Sequence, residues 1–302
     1  PIDGSPASRA GVQPKDVITS IDGKSTRGMT TEDAVKLIRG KVGTKVVLEL
    51  RRGAGEFVTV DLIRDRIELA AVDSSVNVAP NGTKVGYIRL KQFNANAAKD
   101  KRNAITELSG EGVSGFVLDL RSNPGGLLMA SVEIARQWLD EGVIVSSSTR
   151  DGVSDVKRAS GRALTQAPLV VLVNEGSASA SEILSGAIQD NNRGVVVGKK
   201  TFGKGLIQSV RGLSDGSGMT VTIAKYLTPT GKAIHKLGIT PDVNANLSKA
   251  QAQRLKFEDL GTRKDPQYRV AESELSKLLR QSSAKPEVSF DGDVQLDVFS
   301  TN

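Results

Sequence analysis

Apolar and polar positions follow two rhythms along this chain, and the elements change where the rhythm changes. Leu169 to Val173 is an unbroken, β-branched apolar run, which predicts a strand buried on both faces of a mainly parallel sheet. Small residues follow Gly176. From Ser181 the apolar positions Ile183, Leu184, Ala187 and Ile188 recur at helical spacing, with Glu182 in the first turn, where the helix dipole favours an acid. Ser177, Ser179 and Ser181 therefore fall at a strand-to-helix turn. Similar units precede it: strands at Val85–Leu90, Phe116–Leu120 and Val143–Ser147, helices at 95–108 (Ala98, Ile105 and Leu108 inward) and 127–139, and a later strand at Val195–Val197. Alternating strands and helices predict an α/β core.

The flanking regions read differently. Residues 1–63 form a small α/β module. A short helix is closed by Gly11, a strand runs over 16–21, Asp22-Gly23 signals a hairpin, an amphipathic helix covers 31–39, and strands alternate over 44–51 and 57–63. Residues 64–81 show no period and read as a linker into a core spanning 64–245. Within that core, 149–166 reads as an exposed excursion, Lys204–Val210 and Met219–Tyr226 as strands, and Thr228–Gly231 as a turn. Residues 246–302 are rich in Lys, Gln, Glu and Leu and predict helices near 248–260 and 272–279. The last stretch, 281–302, reads as a mobile tail or a strand docking on a neighbour.

Composition narrows the functional classes. No apolar stretch approaches the roughly 20 residues that cross a bilayer, so stable membrane insertion is not expected. The net charge of +7 raises nucleic acid as a partner, but the basic residues are scattered and aromatics are only 4%, so no nucleic-acid role is expected. The absence of Cys rules out disulfides and thiolate metal sites, and the single His235 rules out clustered zinc ligands. Pro1-Ile-Asp-Gly-Ser does not read as a native start, so the chain reads as a mature or trimmed fragment.

The turn serines carry the candidate chemistry. Backbone N–H groups at a helix start lie beside such a serine and can stabilise an oxyanion, but the hydroxyl needs a base. Lys204 suits that role. It stands between Gly203 and Gly205 and is followed by Leu206 and Ile207, apolar neighbours that would strip water from the ammonium and favour the free amine. A strand from Lys204 would put Gln208 on the same face, placed to orient the amine. Asn123-Pro-Gly-Gly126 follows a buried strand, and its glycine amides can point into a cleft. A rival pattern, Gly198-Lys-Lys-Thr-Phe-Gly-Lys204, fits phosphate-loop spacing. It places Gly205 where Ser or Thr should hold magnesium, and strand-forming residues where a helix is required.

Gly176-Ser-Ala-Ser-Ala-Ser-Glu182, Thr201-Phe-Gly-Lys-Gly205 with Gln208, and Leu118-Asp-Leu-Arg-Ser-Asn-Pro-Gly-Gly126 together resemble the motifs of the carboxyl-terminal processing proteases, a Ser–Lys peptidase family. The resemblance implies Ser179 as nucleophile, Lys204 as general base and Gln208 as the residue orienting it. It implies an oxyanion hole from the amides of Ala180 and Gly125, or Gly126. It implies no metal or cofactor, and protein or peptide substrates with a free C-terminus, while leaving room for a homo-oligomer. Residues 1–63 are similar to PDZ domains, which hold a peptide C-terminus as an added strand; the carboxylate-clamping loop would lie just before Pro1. The expected fold class is thus an α/β protease core with a mainly parallel sheet, a PDZ-like domain partial at its start and a helical C-terminal tail. Val85–Asn96 and Ala135–Gly142 look most like the cyanobacterial and plastid branch, which trims the precursor of a photosystem II reaction-centre core subunit in the thylakoid lumen. A periplasmic bacterial relative is the alternative location, and a non-catalytic PDZ-type peptide-binding scaffold the alternative function. The family also allows a resting state in which the PDZ-like module keeps Ser179 and Lys204 apart.

Overall fold

The computed structural model describes residues 5–13, 15–53, 55–66, 70–214 and 217–283. Two compact units divide the chain, residues 1–69 and 70–302. In the first, Ser5 caps α1 (Pro6–Arg9) by accepting from the Ser8 amide. Strand β1 (Val17–Ile21) turns through Asp22 and Gly23, both at positive φ, into β2 (Lys24–Ser25). Helix α2 (Thr31–Ile38) and strands β3 (Lys45–Arg52) and β4 (Glu56–Ile63) complete a sheet of order β2-β1-β3-β4. Ile21, Val46, Leu48, Leu50, Val60 and Leu62 point from alternate strand positions into one core, against Ala34, Leu37 and Ile38 of α2. The expectation that this module is partial at its start falls on residues outside those described.

The second unit runs, in chain order, β5 Val72–Val78, β6 Lys84–Leu90, α3 Ala97–Gly110, β7 Gly115–Asp119, α4 Leu128–Arg136, β8 Val143–Thr149, β9 Gly152–Arg158, β10 Leu169–Val173, α5 Ala180–Asp190, β11 Val195–Gly198, β12 Leu206–Gly212, β13 Gly218–Leu227, β14 Val243–Asn244, α6 Lys249–Arg254 and α7 Pro266–Ser283. Its main sheet has the order β14-β11-β10-β7-β6-β5 and is parallel except for β5. The central strand shows why apolar residues run without interruption. Leu169, Val171 and Val173 pack with α3, α4 and α5, while Val170 and Leu172 pack with Tyr268, Ala271 and Leu275 of α7.

Two segments differ from the sequence reading, and a third packs more closely than it implies. The linker expected over 64–81 contains β5, an edge strand that among the described residues pairs only with β6; Asp73, Ser74 and Ser75 are exposed, so no apolar period shows. The excursion over 149–166 contains β9, an exposed strand in a second, antiparallel sheet of order β12-β13-β8-β9. The helical C-terminal segment is present, and α7 covers the second face of the main sheet rather than trailing from it. Residues 281–283 finish α7, and the rest of the expected tail lies outside the described residues.

The core also holds a cation-forming side chain. Lys101 of α3 is completely buried, its amine 4.0 Å from the Trp138 ring centre and 3.2 Å from the Gln137 Oε1 acceptor. Burial, followed by the nearby Arg193 and Arg102 charges, pushes its amine well below its usual range. The unfolded chain therefore binds a proton that the folded chain does not. Stability should rise with pH between the lowered folded value and the ordinary 10.5, with a slope of up to about 1.4 kcal/mol per pH unit. Lys101→Met is expected to raise stability below that window and flatten the slope. Urea unfolding of both proteins from pH 6 to 10 checks this; parallel curves would show that Lys101 does not titrate with folding.

Candidate active site

The carboxyl ends of β7 and β10, adjacent parallel strands, each feed a tight loop, and the two loops are stitched together. Ser177 donates its hydroxyl to the Leu120 carbonyl at 2.8 Å and accepts from the Asn174 amide at 3.0 Å. Ser181 donates to the Asn123 carbonyl at 2.9 Å, and the Ala178 amide donates to the same oxygen at 3.0 Å. These flanking serines are thus spent on structure. Ser179 between them is half-buried at the start of α5 with φ 57° and ψ −112°. For a residue with a Cβ, that backbone conformation is strained.

The facing loop presses on this turn. Gly125 has φ 98°, and a Cβ there would lie 2.9 Å from the Ala180 amide nitrogen and 2.9 Å from Ser179 Cβ. Only glycine permits that approach. The Gly125 N–H itself is donated to the Asn123 Oδ1 at 2.9 Å, and Asn123 is in turn fixed to the Leu90 carbonyl by its amide group. Gly126, at φ 145°, is exposed and bridged to Phe93.

Glu182 ties the nucleophile turn to the lysine loop. Its fully buried carboxylate accepts from the Thr201 hydroxyl at 2.6 Å and the Gly203 amide at 2.6 Å on one oxygen. The other oxygen accepts from the Ser179 and Lys204 amides, each at 2.8 Å. Ser179 and Lys204 thus hang from one oxygen atom, their backbones within two hydrogen-bond lengths. The sequence reading saw in Glu182 only a helix-dipole acid. The spacing Ser-x-x-Glu, a capping-box signal, is the feature that marks it for a buried role.

The lysine loop departs from expectation. Lys204 precedes the strand, β12 starting only at Leu206, and its side chain is exposed instead of lying under apolar neighbours. The flanking glycines explain this. The Gly203 carbonyl accepts from the Lys236 amide at 2.8 Å, and a Cβ on Gly203 would lie 3.1 Å from Lys236 Cα, while one on Gly205 would overlap the His235 nitrogen. Both glycines lie flat on residues 235–236, which turns the side chain between them outward. Gln208 is exposed beyond a register slip between Ile207 and Gln208. Among the described residues, no hydrogen bond joins the Lys204 amine to the Ser179 hydroxyl or to Gln208, and no three His, Asp or Glu side chains converge to hold a metal ion.

Behind the Asn-Pro-Gly-Gly loop lies a buried ionic cluster that sequence reading did not isolate. Arg121 donates to Asp119 at 2.5 Å and to Asp265 at 2.6 Å from Nη2, and from Nη1 to Gln267 Oε1 at 3.0 Å. Tyr87 donates its hydroxyl to Asp119 at 2.7 Å. Burial works against the Arg121 charge, but Asp119 and then Asp265 outweigh it and raise the guanidinium above its usual range. Burial likewise opposes the Asp119 charge, and Arg121 more than offsets this, holding the carboxyl below the usual range. Burial, with Asp119 alongside, raises the Tyr87 hydroxyl.

A strained serine at the carboxyl edge of a parallel sheet, with glycine and helix-start amides against it, defines a scaffold for acyl transfer at a serine. The comparisons make the class specific: residues 84–245 match the model for peptidase family S41 and residues 1–52 that for the PDZ domain, and the chain belongs to family S41. Its relatives are carboxyl-terminal-processing proteases. The one from Synechocystis is 48% identical over 90% of this chain and 62% of its own length, and the one from Picosynechococcus is 47% identical over 96% of this chain and 68% of its own. The solved structure of a photosystem II D1 C-terminal processing protease superimposes with a TM-score of 0.56 at 41% identity, covering 81% of this chain and 66% of that one. The chain spans about half the length of its chloroplast relatives from Arabidopsis.

Proposed function

We propose that this chain is the PDZ and catalytic portion of a serine endopeptidase that cuts near the C-terminus of protein substrates. Ser179 attacks the scissile carbonyl, and Lys204 takes its proton and returns it to the leaving amine. Gln208 orients the lysine once the pair closes. The amide of Ala180 holds the oxyanion together with that of Gly125, which would have to give up its bond to Asn123 Oδ1, or of the exposed Gly126. The observation that carries this reading is the shared Glu182 oxygen, which hangs the Ser179 and Lys204 backbones side by side. A flexible four-carbon side chain on a backbone held this near the serine can swing its amine toward the hydroxyl. The exposed lysine corresponds to a resting arrangement in which the pair is open.

Similarity to proteases of cyanobacteria and chloroplasts supports an extracytoplasmic site, the thylakoid lumen or periplasm, and the precursor of a photosystem II reaction-centre core subunit as substrate. No helix among the described residues is long and apolar enough to cross a membrane. The PDZ unit supplies the pocket class that captures a free C-terminus.

Cleavage of a labelled peptide with a free C-terminus tests the reading. Ser179→Ala and Lys204→Ala should each lose turnover by a factor on the order of 10³ or more while staying folded. Retained turnover in Ser179→Ala, or in a folded Lys204→Ala, would overturn it.

A further inference from the structure

Asp265 lies outside residues 84–245, the stretch matched by the family model, and far in sequence from every residue given a role above. Yet its carboxylate is completely buried and works in two directions. Oδ1 accepts from the amides of Gln267 at 3.0 Å and Tyr268 at 3.2 Å, which caps the start of α7, and from Arg121 Nη1 at 3.2 Å. Oδ2 accepts from Arg121 Nη2 at 2.6 Å and from the Gly261 amide at 3.2 Å. Gln267 adds a second tie, accepting from Arg121 while donating to the Ala245 carbonyl at 2.8 Å.

Arg121 is the last residue before the loop that presses on Ser179. Immediately after it, Ser122 takes φ 56° and donates its amide to Asn174 Oδ1 at 2.8 Å, and a Cβ on Gly176 would lie 2.9 Å from Ser122 Cα. Three residues later the backbone of Gly125 lies so near the nucleophile turn that a Cβ there would fall 2.9 Å from both Ser179 Cβ and the Ala180 nitrogen. One side of this loop is therefore fixed by the nucleophile turn and the other by Arg121. Arg121 is held in turn by a carboxylate on the C-terminal segment.

We infer that Asp265 is a positioning residue for the proteolytic reaction, acting through Arg121 to hold the 122–126 loop against Ser179, so that the start of α7 is part of the active-site frame. This rests on the proteolytic reading above. A bidentate, buried guanidinium–carboxylate pair fixes position as well as charge. A loop displaced by about 1 Å at a reacting centre costs on the order of 10²-fold in rate. Substrate capture by the PDZ unit uses other residues, so the loss belongs in kcat rather than KM.

Asp265→Asn separates the two duties of the side chain. Its amide oxygen still caps α7 at the Oδ1 position, while its NH2 group meets the Arg121 donor where Oδ2 stood. Asp265→Ala removes both. The full chain, Ser179→Ala and both Asp265 variants are assayed on the labelled peptide at 25 °C, with kcat and KM separated and folding followed by circular dichroism. The expected result is a kcat lowered about tenfold in Asp265→Asn and about a hundredfold in Asp265→Ala, with KM within about twofold and wild-type spectra. A mere capping role would instead lower the melting temperature of Asp265→Ala and leave kcat in Asp265→Asn intact. Should Asp265→Ala fail to fold, Asp265→Asn alone decides: folded with wild-type kcat, or with only KM raised, it overturns the inference. Cleavage that survives in Ser179→Ala strikes the proteolytic reading itself; Ser179-dependent cleavage with unaffected Asp265 variants strikes only this inference.

Discussion

Glu182→Ala should reduce kcat/KM for a free-C-terminus peptide by at least about 10²-fold and lower stability by about 3–5 kcal/mol. Four donors, the Ser179, Gly203 and Lys204 amides and the Thr201 hydroxyl, lose an acceptor that is itself completely buried. The melting temperature should fall by roughly 10 °C in a domain of this size. Glu182→Gln is the sharper probe of geometry. It keeps the volume but turns one oxygen into a donor facing N–H groups. Because the same oxygen suspends both Ser179 and Lys204, activity should fall more steeply than stability. Peptide turnover and thermal unfolding, measured together on both variants, read the two effects. If Glu182→Gln turned over like the wild type, the two backbones would not need that shared acceptor.

If the 122–126 loop supplies an oxyanion donor as proposed, Gly125→Ala is expected to cost about 10²–10³ in kcat. The new Cβ would lie 2.6 Å from the Ala178 carbonyl oxygen and 2.9 Å from the Ala180 nitrogen, at a φ of 98° that alanine rarely adopts. The side chain has no room, so the loop must retreat from the nucleophile turn, taking its amides with it. The accompanying strain should lower stability by only about 1–3 kcal/mol, because the loop is one turn among many contacts of a large core. Steady-state kinetics on the purified, folded variant tests this. A wild-type kcat would mean that the 122–126 loop does not contribute to the transition state.

Local signals carried much of this protein in its sequence, and the reason is that parallel α/β cores write themselves in composition. Leu169 to Val173 could be read as a doubly buried strand because each face of it meets an apolar layer. Ser179 could be placed at its turn because Gly176 and the small residues after it end one rhythm and begin another. The Asn123–Gly126 loop was legible for the same reason. Three features were not. Strand β5 hides at an edge where alternation is not enforced, since among the described residues only β6 pairs with it. Lys101 reads as a solvated helix residue, because its burial depends on Trp138 and Arg193 arriving from distant segments. Lys204 was expected under apolar cover on a strand, and instead two glycines laid flat on residues 235–236 turn it outward.

The sequence by itself determined most of the elements, the class of chemistry and the candidates Ser179, Lys204 and Gly125, because hydrophobic period, turn residues and side-chain reactivity are properties of short stretches. Tertiary structure alone decided that Glu182 joins two loops 22 residues apart in the chain, as its bond to the Lys204 amide shows, and that Asp265 reaches across 144 residues to Arg121. Such pairings are made by buried polar groups that must find partners wherever the fold brings them. No local pattern announces which partner a buried carboxylate will meet.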